Sequence, residues 1–489
     1  MLFNSHIFML LFLPLLLAGW YFLNWKKKFQ LAQGYLIGMS LWFYAYANLQ
    51  YLWLLLFSCL IGWLLSCLPE KIFSEKGKKV LTGVGCVFHL GLLGYFKYSN
   101  FFLENLNTVF HTDFPMLQIL LPVGISFYTF QQLAYLIDRC RRDAPRDSFF
   151  DYLTFMVYFP QLLQGPILLR SEFMGQLKEP ERRRFHAERF SEGIQFFVFG
   201  LAKKVLLADT LAKAVNYGYS NVSMLDSISA LLLAVGYLTE LYFDFSGYCD
   251  MAVGLGKMIG LEVAENFDAP FHSASVKEFW RRWHMTLGRF FTRYVYIPLG
   301  GNRKGKMRTL CNVMIVMLLS GLWHGAAWTF VLWGFLHGVG MIWDNLEHPH
   351  LPKKWMRQAA TFAYVCMTFV FFRAESIAQG VDVLKSIVSV KWNGFVLQMA
   401  SALDMTECYI ITKALSMKLP GLLSWFWLGI FVVLIAICFR VLSGEKVSGV
   451  VALQRQKGYG RLYPVLLAVL FTWSMISMTG VSEYLYFSF

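Results

Sequence analysis

The chain has 489 residues, of which 57% are hydrophobic, 18% aromatic and only 15% charged. Soluble domains carry about 25% charged residues, so the composition excludes a string of soluble domains and points to one polytopic membrane domain. The formal net charge of +14 reads as Lys and Arg bias in cytoplasmic loops and not as nucleic-acid binding, because the basic clusters lie between hydrophobic runs.

A transmembrane helix needs about 17–25 mostly apolar residues. The first such run is 7–25, and its lysines, Lys26, Lys27 and Lys28, follow it. That order is wrong for a cleaved signal peptide, so a retained span with its N-terminus outside is expected. Runs at 33–48 and 49–68 return the chain to Lys71, Lys76, Lys78 and Lys79 on the cytoplasmic side. The run 80–98 leads to 99–115, which has no Lys or Arg and reads as external, and 116–138 returns to Arg139, Arg141, Arg142 and Arg146. The stretch 149–169 contains Phe159-Pro160-Gln161 and Gln164-Gly165-Pro166 between two basic flanks, the second including Arg182-Arg183-Arg184. Equal flanks argue for a re-entrant segment, whose irregular backbone is tolerated only when buried in protein or facing water.

Spans at 190–208 and 228–246 follow, and residues 257–308 return to the cytoplasmic side; Lys203, Lys204 and Lys213 fit this scheme least well. The run 309–346 makes either two short crossings that turn near Trp323-His324-Gly325, or one crossing and a broken helix. Spans at 358–376, 422–441 and 462–479 complete the chain, with Arg440, Lys446, Arg455, Lys457 and Arg461 inside and 380–420 outside. The expected fold is all-α, with about 11–12 transmembrane helices plus re-entrant and amphipathic segments and both termini extracytoplasmic. Residues 1–489 form one integral membrane domain in this reading, with a core at 150–346 and peripheral helices at 1–149 and 347–489. No internal repeat is visible, which argues against a transporter built from inverted repeats.

The nine cysteines are scattered, without CxxC or Cys/His metal spacing, and no metal is expected. Of the ten histidines, His6, His111, His186, His348 and His350 fall near expected ends or in loops, His89 is packed in a span without polar company, and His272 follows a turn. His337 lies about 220° around a continuous helix from His324 and is assigned a structural role. His324 differs, because it sits in the almost uncharged run 310–343 between Gly321 and Gly325. At membrane depth an ionisable ring is paired, lines a cavity or does chemistry. The indoles of Trp323 and Trp328 can orient the ring or a substrate, and an imidazole can take a proton from a hydroxyl and return it. A packing histidine bonded to a carbonyl is the equal alternative at this point.

Upstream, Phe279-Trp280-Arg281-Arg282-Trp283-His284 is amphipathic and basic, and most of it suits an interfacial helix. That reading does not explain the turn Pro298-Leu299-Gly300-Gly301-Asn302-Arg303. Arg281, Arg282 and Arg303 are candidates to hold the phosphates of a cytosolic donor such as coenzyme A. Asp244 and Asp250 lie beside an apolar span, and since an intramembrane acid usually has a partner, Asp244 is expected to brace the basic block or a histidine.

Four stretches in order carry a resemblance: Phe159-Pro160-Gln161 with Gly165-Pro166, Phe243-Asp244-Phe245-Ser246-Gly247-Tyr248, the block 279–302, and Trp323-His324-Gly325. Together they resemble the membrane-bound O-acyltransferase family, most closely its alginate O-acetyltransferase branch. The resemblance implies a ring of tilted helices around a tunnel with His324 at the constriction. It implies His284 as a second catalytic position and Trp323, Trp283, Asp244 and Asn302 as supporting residues along the tunnel. A donor thioester would enter from the cytoplasm and a hydroxyl acceptor from the other face. The chain departs from the branch at Arg293, where an acid is commoner. The implied activity is transfer of an acetyl group from acetyl-CoA, a substrate and not a tightly bound cofactor, for O-acetylation of an exported polysaccharide. The implied setting is the plasma membrane and its lipid, beside a separate extracytoplasmic acetyltransferase partner with a serine nucleophile, the polymer being reached directly or through that partner. Two alternatives are D-alanyl transfer to teichoic acid, which the run Ile297-Pro298-Leu299-Gly300-Gly301-Asn302-Arg303 disfavours, and a transporter or channel with a histidine proton relay.

Overall fold

The computed structural model describes residues 1–47, 49–67, 75–346, 353–442, 446–458, 460, 462–478 and 485, and every regular element among them is a helix. Lys71, His348, His350 and Arg461 lie outside the described residues. Among the described residues six helices are long and apolar enough to cross a membrane: Phe8–Trp25, Leu49–Cys67, Lys76–Phe110, Ser227–Ile259, Lys306–His324 and Pro420–Val441. The other expected crossings are helices of lower hydropathy or shorter length, among them Phe29–Ala47, Ile125–Arg141, Trp328–Leu346, Lys354–Arg373 and Leu462–Ser477. The protein is an all-α polytopic membrane protein. By its internal contacts the chain divides into two compact units, each assembled from separated segments.

The first unit comprises Met1–Val198, Tyr248–Asn266 and Thr286–Pro298. Here one expected span shortens: the helix before Arg141 begins only at Ile125, and 112–122 has no regular secondary structure. Pro115 and Pro122 explain the difference, since each lacks an N–H and disfavours helix in the residue before it. Two asparagines satisfy part of this irregular backbone in place of a helix. Asn100 Nδ2 donates to Leu117 O and its Oδ1 accepts from Leu117 N, both at 2.9 Å. Asn107 makes the same paired bonds with Phe114, also at 2.9 Å.

The expected re-entrant stretch is broken into short helices, Phe149–Met156, Phe159–Leu162 and Arg170–Leu177, joined by buried irregular backbone. The break is local chemistry: Pro160 opens the middle helix, and Gly165 lies so close to the Pro160 carbonyl that any Cβ would collide with it. Protein groups satisfy the exposed peptides, as burial requires. Ile167 N–H donates to Thr286 Oγ1 at 3.0 Å, and Arg289, paired with Glu172, donates to Ile167 O at 3.0 Å. Arg293, where the sequence departs from the alginate branch, bridges Asp138 at 3.0 Å and Asp143 at 2.9 Å, while the Tyr294 hydroxyl donates to Asp138 Oδ2 at 2.9 Å. It ties its segment to the end of the helix Ile125–Arg141.

The second unit comprises Phe199–Gly247, Phe267–Met285 and Leu299–Phe489, within the described residues. Its centre is a helical hairpin, Lys306–His324 and Trp328–Leu346. Gly321 and Gly334 let the two backbones touch, as small residues do between membrane helices. A Cβ on Gly334 would lie 2.5 Å from Met317 O, and one on Gly321 would collide with Phe330 O. Lys354–Arg373 packs on the return helix, where the Tyr364 hydroxyl donates to Leu336 O at 2.6 Å. The helix Ser227–Ile259 passes beside the π-helical turn Lys203–Ala208. There Lys204 Nζ, almost wholly buried, meets Asp244 Oδ1 at 2.6 Å and Asp209 Oδ1 at 2.8 Å. Asp244 therefore braces neither the basic block nor a histidine, as expected from sequence, but a lysine; its other oxygen accepts from Leu485 N–H at 3.1 Å. Lys204, one of the three lysines that disturbed the charge scheme, is thus a structural counter-ion.

Candidate active site

The helix Lys306–His324 stops at His324 because Gly325 turns to extended backbone (φ −157°, ψ 150°) before Trp328 starts the return helix. Of the two arrangements expected for 309–346, the structure has two helices meeting at the Trp-His-Gly sequence. His324 ends up 4% exposed in an aromatic setting. Its ring centroid is 4.9 Å from Trp323, 5.1 Å from Phe372 and 5.2 Å from Trp333. Trp328, the other indole expected beside it, is more than half exposed.

His284 is fully buried, and its ring centroid lies 6.5 Å from that of His324 and 6.0 Å from Trp323. It is carried at the junction of two short helices, Val276–Arg282 and Met285–Phe291, with φ 45°. A non-glycine residue in the left-handed region is uncommon and is held there only by its surroundings. Those surroundings are Phe245, 4.7 Å from its ring, and a firmly capped helix before it. Ser275 Oγ accepts from Glu278 N–H at 3.1 Å, Glu278 accepts from Ala274 N–H at 2.8 Å, and Asp344 accepts from Lys277 N–H at 2.8 Å. The structure thus brings together the two histidines singled out from sequence, forty residues apart in the chain.

His337 is buried on the return helix with both ring nitrogens engaged. Trp280 Nε1–H donates to Nδ1 at 3.2 Å, and Nε2 meets Thr368 Oγ1 at 2.9 Å. Thr368 spends its own proton on Val365 O at 2.7 Å, so Nε2 is the donor and the neutral tautomer is fixed. A ring so committed has no lone pair for a substrate, in agreement with its structural assignment. His337→Ala is expected to lower thermal stability, because it removes a hydrogen bond from buried Thr368 and from half-buried Trp280, and a buried polar group left unmade costs about 1–3 kcal/mol. Its transfer rate per folded molecule should fall by less than the ~10²-fold that marks loss of a general base. Melting in detergent, measured beside acyl transfer, checks both.

The remaining sequence candidates separate. Trp283 is buried among Phe267, Phe279 and Phe369, at 5.1 to 5.5 Å, and serves as core beneath His284. Arg281 is exposed, and Arg282 pairs with Glu278 at 2.9 Å. Asn302 and Arg303 are exposed. The residue that holds the Gly300-Gly301 turn is one the sequence did not single out: Asn312, fully buried, donates to Gly301 O at 2.9 Å. His6, His111 and His186 are exposed as expected, whereas His89 has polar company, with Nδ1 3.3 Å from Ser58 Oγ. Glu240 and Arg373 were also missed; they line a cavity of about 760 Å³ that reaches Phe330 and Phe372.

The family model described as MBOAT, membrane-bound O-acyltransferase family, matches residues 141–379, which include both histidines. The probable alginate O-acetylase AlgI of Azotobacter vinelandii is 39% identical over 389 residues, covering 77% of this chain and 76% of that protein. This chain belongs to the membrane-bound O-acyltransferase family. A second member, the peptidoglycan O-acetyltransferase of Helicobacter pylori, is 35% identical over 423 residues, 80% of each chain. The teichoic acid D-alanyltransferase of Bacillus subtilis is 28% identical over 274 residues, covering 52% of this chain and 69% of its own. As a membrane-bound O-acyltransferase the protein is an enzyme, and a transporter with a histidine relay is set aside.

Proposed function

We propose that this O-acyltransferase moves an acetyl group from cytosolic acetyl-CoA to a hydroxyl at the extracytoplasmic face, for O-acetylation of an exported cell-surface polysaccharide. The observation that carries the reading is the pair of buried imidazoles, His324 and His284, 6.5 Å apart at the end of a membrane helix. The acetyl group and the polymer class are supported by similarity to an alginate O-acetylase and a peptidoglycan O-acetyltransferase over three quarters or more of the chain. The teichoic acid relative matches only about half of it.

In the proposed step His324 takes the proton of the acceptor hydroxyl as its oxygen attacks the thioester carbonyl. The tetrahedral intermediate collapses with loss of the C–S bond, and the proton passes from His324 to the departing thiolate. The carboxyl end of a helix stabilises a neighbouring cation by about 0.3–1 kcal/mol, and the step creates an imidazolium at such an end. His284 positions the donor carbonyl. Acetyl-CoA labelled in the acetyl group tests the reaction class, since label must appear as an ester on the acceptor.

The proposed setting is the plasma membrane, with 26–28, 139–147, 178–189 and 446–461 cytoplasmic and 99–115, 380–420 and both termini outside. In a background without accessible native cysteines, a cysteine at 107 should label from outside intact cells and one at 183 should not. The reverse result overturns the orientation.

We also infer that a separate extracytoplasmic acetyltransferase finishes the reaction. The donor is cytosolic and the polymer outside. Segment 380–420, the longest expected external piece, is near the ~40-residue limit for independent folding, and its helices Phe395–Ser401 and Tyr409–Lys418 are short. In liposomes with acetyl-CoA inside and polymer outside, the protein alone should cleave the thioester slowly and acetylate the polymer only when the partner is added. Rapid acetylation without it refutes the two-component scheme.

A further inference from the structure

We propose that a groove on the second unit, between residues 222–225 and 376–393, is a carbohydrate-binding site in which Trp392 stacks on a sugar ring of the exported polymer. The assignment of the groove to the outer face, and of a polysaccharide to that face, rests on the function proposed above. The groove has a volume of about 960 Å³, at the upper end of the roughly 300–1,000 Å³ of small-ligand sites. Most of its lining is exposed, so a chain can lie in it and continue past both ends.

The platform under the ligand is rigid. Lys391 N–H donates to Ser227 Oγ and Ser227 N–H donates to Lys391 O, both at 3.0 Å. Asp226, fully buried, accepts from Asn393 N–H and Gly394 N–H, each at 3.2 Å, and Asn393 Nδ2 donates to Met224 O at 2.9 Å. Beside these anchors Val390 is held at φ 50°, a conformation that a β-branched residue adopts only when its surroundings impose it. A platform fixed in advance loses little freedom when a ligand binds. The turn also has two faces. Ser389, Lys391 and Trp392 line the groove, whereas Val388 and Val390, 73% and 91% exposed, do not. A tryptophan that only anchors a loop in the headgroup layer would share the side of the valines.

The groups on the groove side suit a sugar. A pyranose offers a face of C–H groups and a rim of hydroxyls. An indole offers a flat apolar face with an N–H donor at its edge, and Trp392 is 55% exposed, so that face is open to a ligand. Ser386 and Ser389 donate their own protons to backbone carbonyls at 2.9 Å, which leaves their oxygens as acceptors for hydroxyls. Asp382 lies 3.6 Å from Lys385, with both side chains more than half exposed. Such a pair is worth little by itself and opens readily around a hydroxyl, the carboxylate accepting and the ammonium donating. The same carboxylate stands against a lipid phosphate in the groove.

The test uses the full-length protein in lipid nanodiscs, because sugar-headed detergents would compete, and isothermal titration with short oligosaccharides of alginate and of cellulose. At least one of them should bind with a Kd below about 1 mM. Trp392→Ala should weaken that binding by about tenfold or more, as truncation of an aromatic anchor does. The substitution removes an exposed ring, so the melting temperature and the rate of thioester cleavage from acetyl-CoA should stay at the wild-type level. Val388→Ala, on the other face of the turn, should leave the Kd unchanged. The assignment is overturned by four results: no binding of either oligosaccharide, equal binding by Trp392→Ala, an equal loss in Val388→Ala, or binding of glycerol 3-phosphate as tight as that of the sugars, which would make the groove a lipid-headgroup site. Saccharide binding by a wild-type protein that cleaves no thioester would leave the groove standing and overturn the acyl-transfer reading instead.

Discussion

Replacing His324 with alanine should abolish acetyl transfer and leave a folded, inserted protein. Loss of a general base removes a factor of about 10²–10⁴ in rate. The fold should survive because the hairpin is held by the close approach of Gly321 to Gly334 and not by the ring itself. The truncation does open space between Trp333 and Phe372, so melting in detergent must be measured beside labelled ester formation. His284→Ala should be severe but retain a trace, because the proposed role of His284 is to place the donor and the base remains. Near wild-type transfer by well-folded His324→Ala protein would overturn the assignment, and complete loss in His337→Ala would point to the other ring.

The second large effect is expected at a buried ion pair and reads on stability. Lys204→Met leaves Asp244 as a buried carboxylate without its cation, and breaking one side of such a pair costs about 3–5 kcal/mol. The change should lower the melting temperature sharply, or prevent accumulation of the protein. Adding Asp244→Leu to Lys204→Met should recover much of the loss, since replacing both members of a buried pair by apolar groups is often neutral. Asp209, the second partner at 2.8 Å, remains about one quarter exposed and can turn to water. Equal melting of Lys204→Met and wild-type protein would show that Asp244 is neutral in the fold.

Why some of this was legible in the sequence follows from range. The turn at Trp323-His324-Gly325 is local, because a glycine after a long apolar helix ends it where it stands. The broken backbone of 149–169 is equally local, written in Pro160, Gly165 and Pro166. The partner of Asp244 was not legible. Lys204 is forty residues away, and a lysine in a membrane protein reads first as a mark of sidedness. The same limit explains Asn302 and Asn312: the exposed one stands in a conspicuous turn, whereas the buried one that holds the turn lies inside an apolar helix. In 112–122 the apolar residues outweighed two prolines, although a proline at each end is the stronger constraint on backbone.

Gly325 also shapes the space beside the proposed base. A side chain there would collide with the Phe330 ring, so that ring occupies the volume a methyl group would have taken. Phe330 in turn packs edge to face on Phe372 at 4.8 Å, and Phe372 lies 5.1 Å from the His324 ring. Trimming the Phe330 ring would open space beside Phe372 without touching His324, and filling Gly325 would push that ring out of place. The space beside His324 and the imidazole itself can then be varied independently.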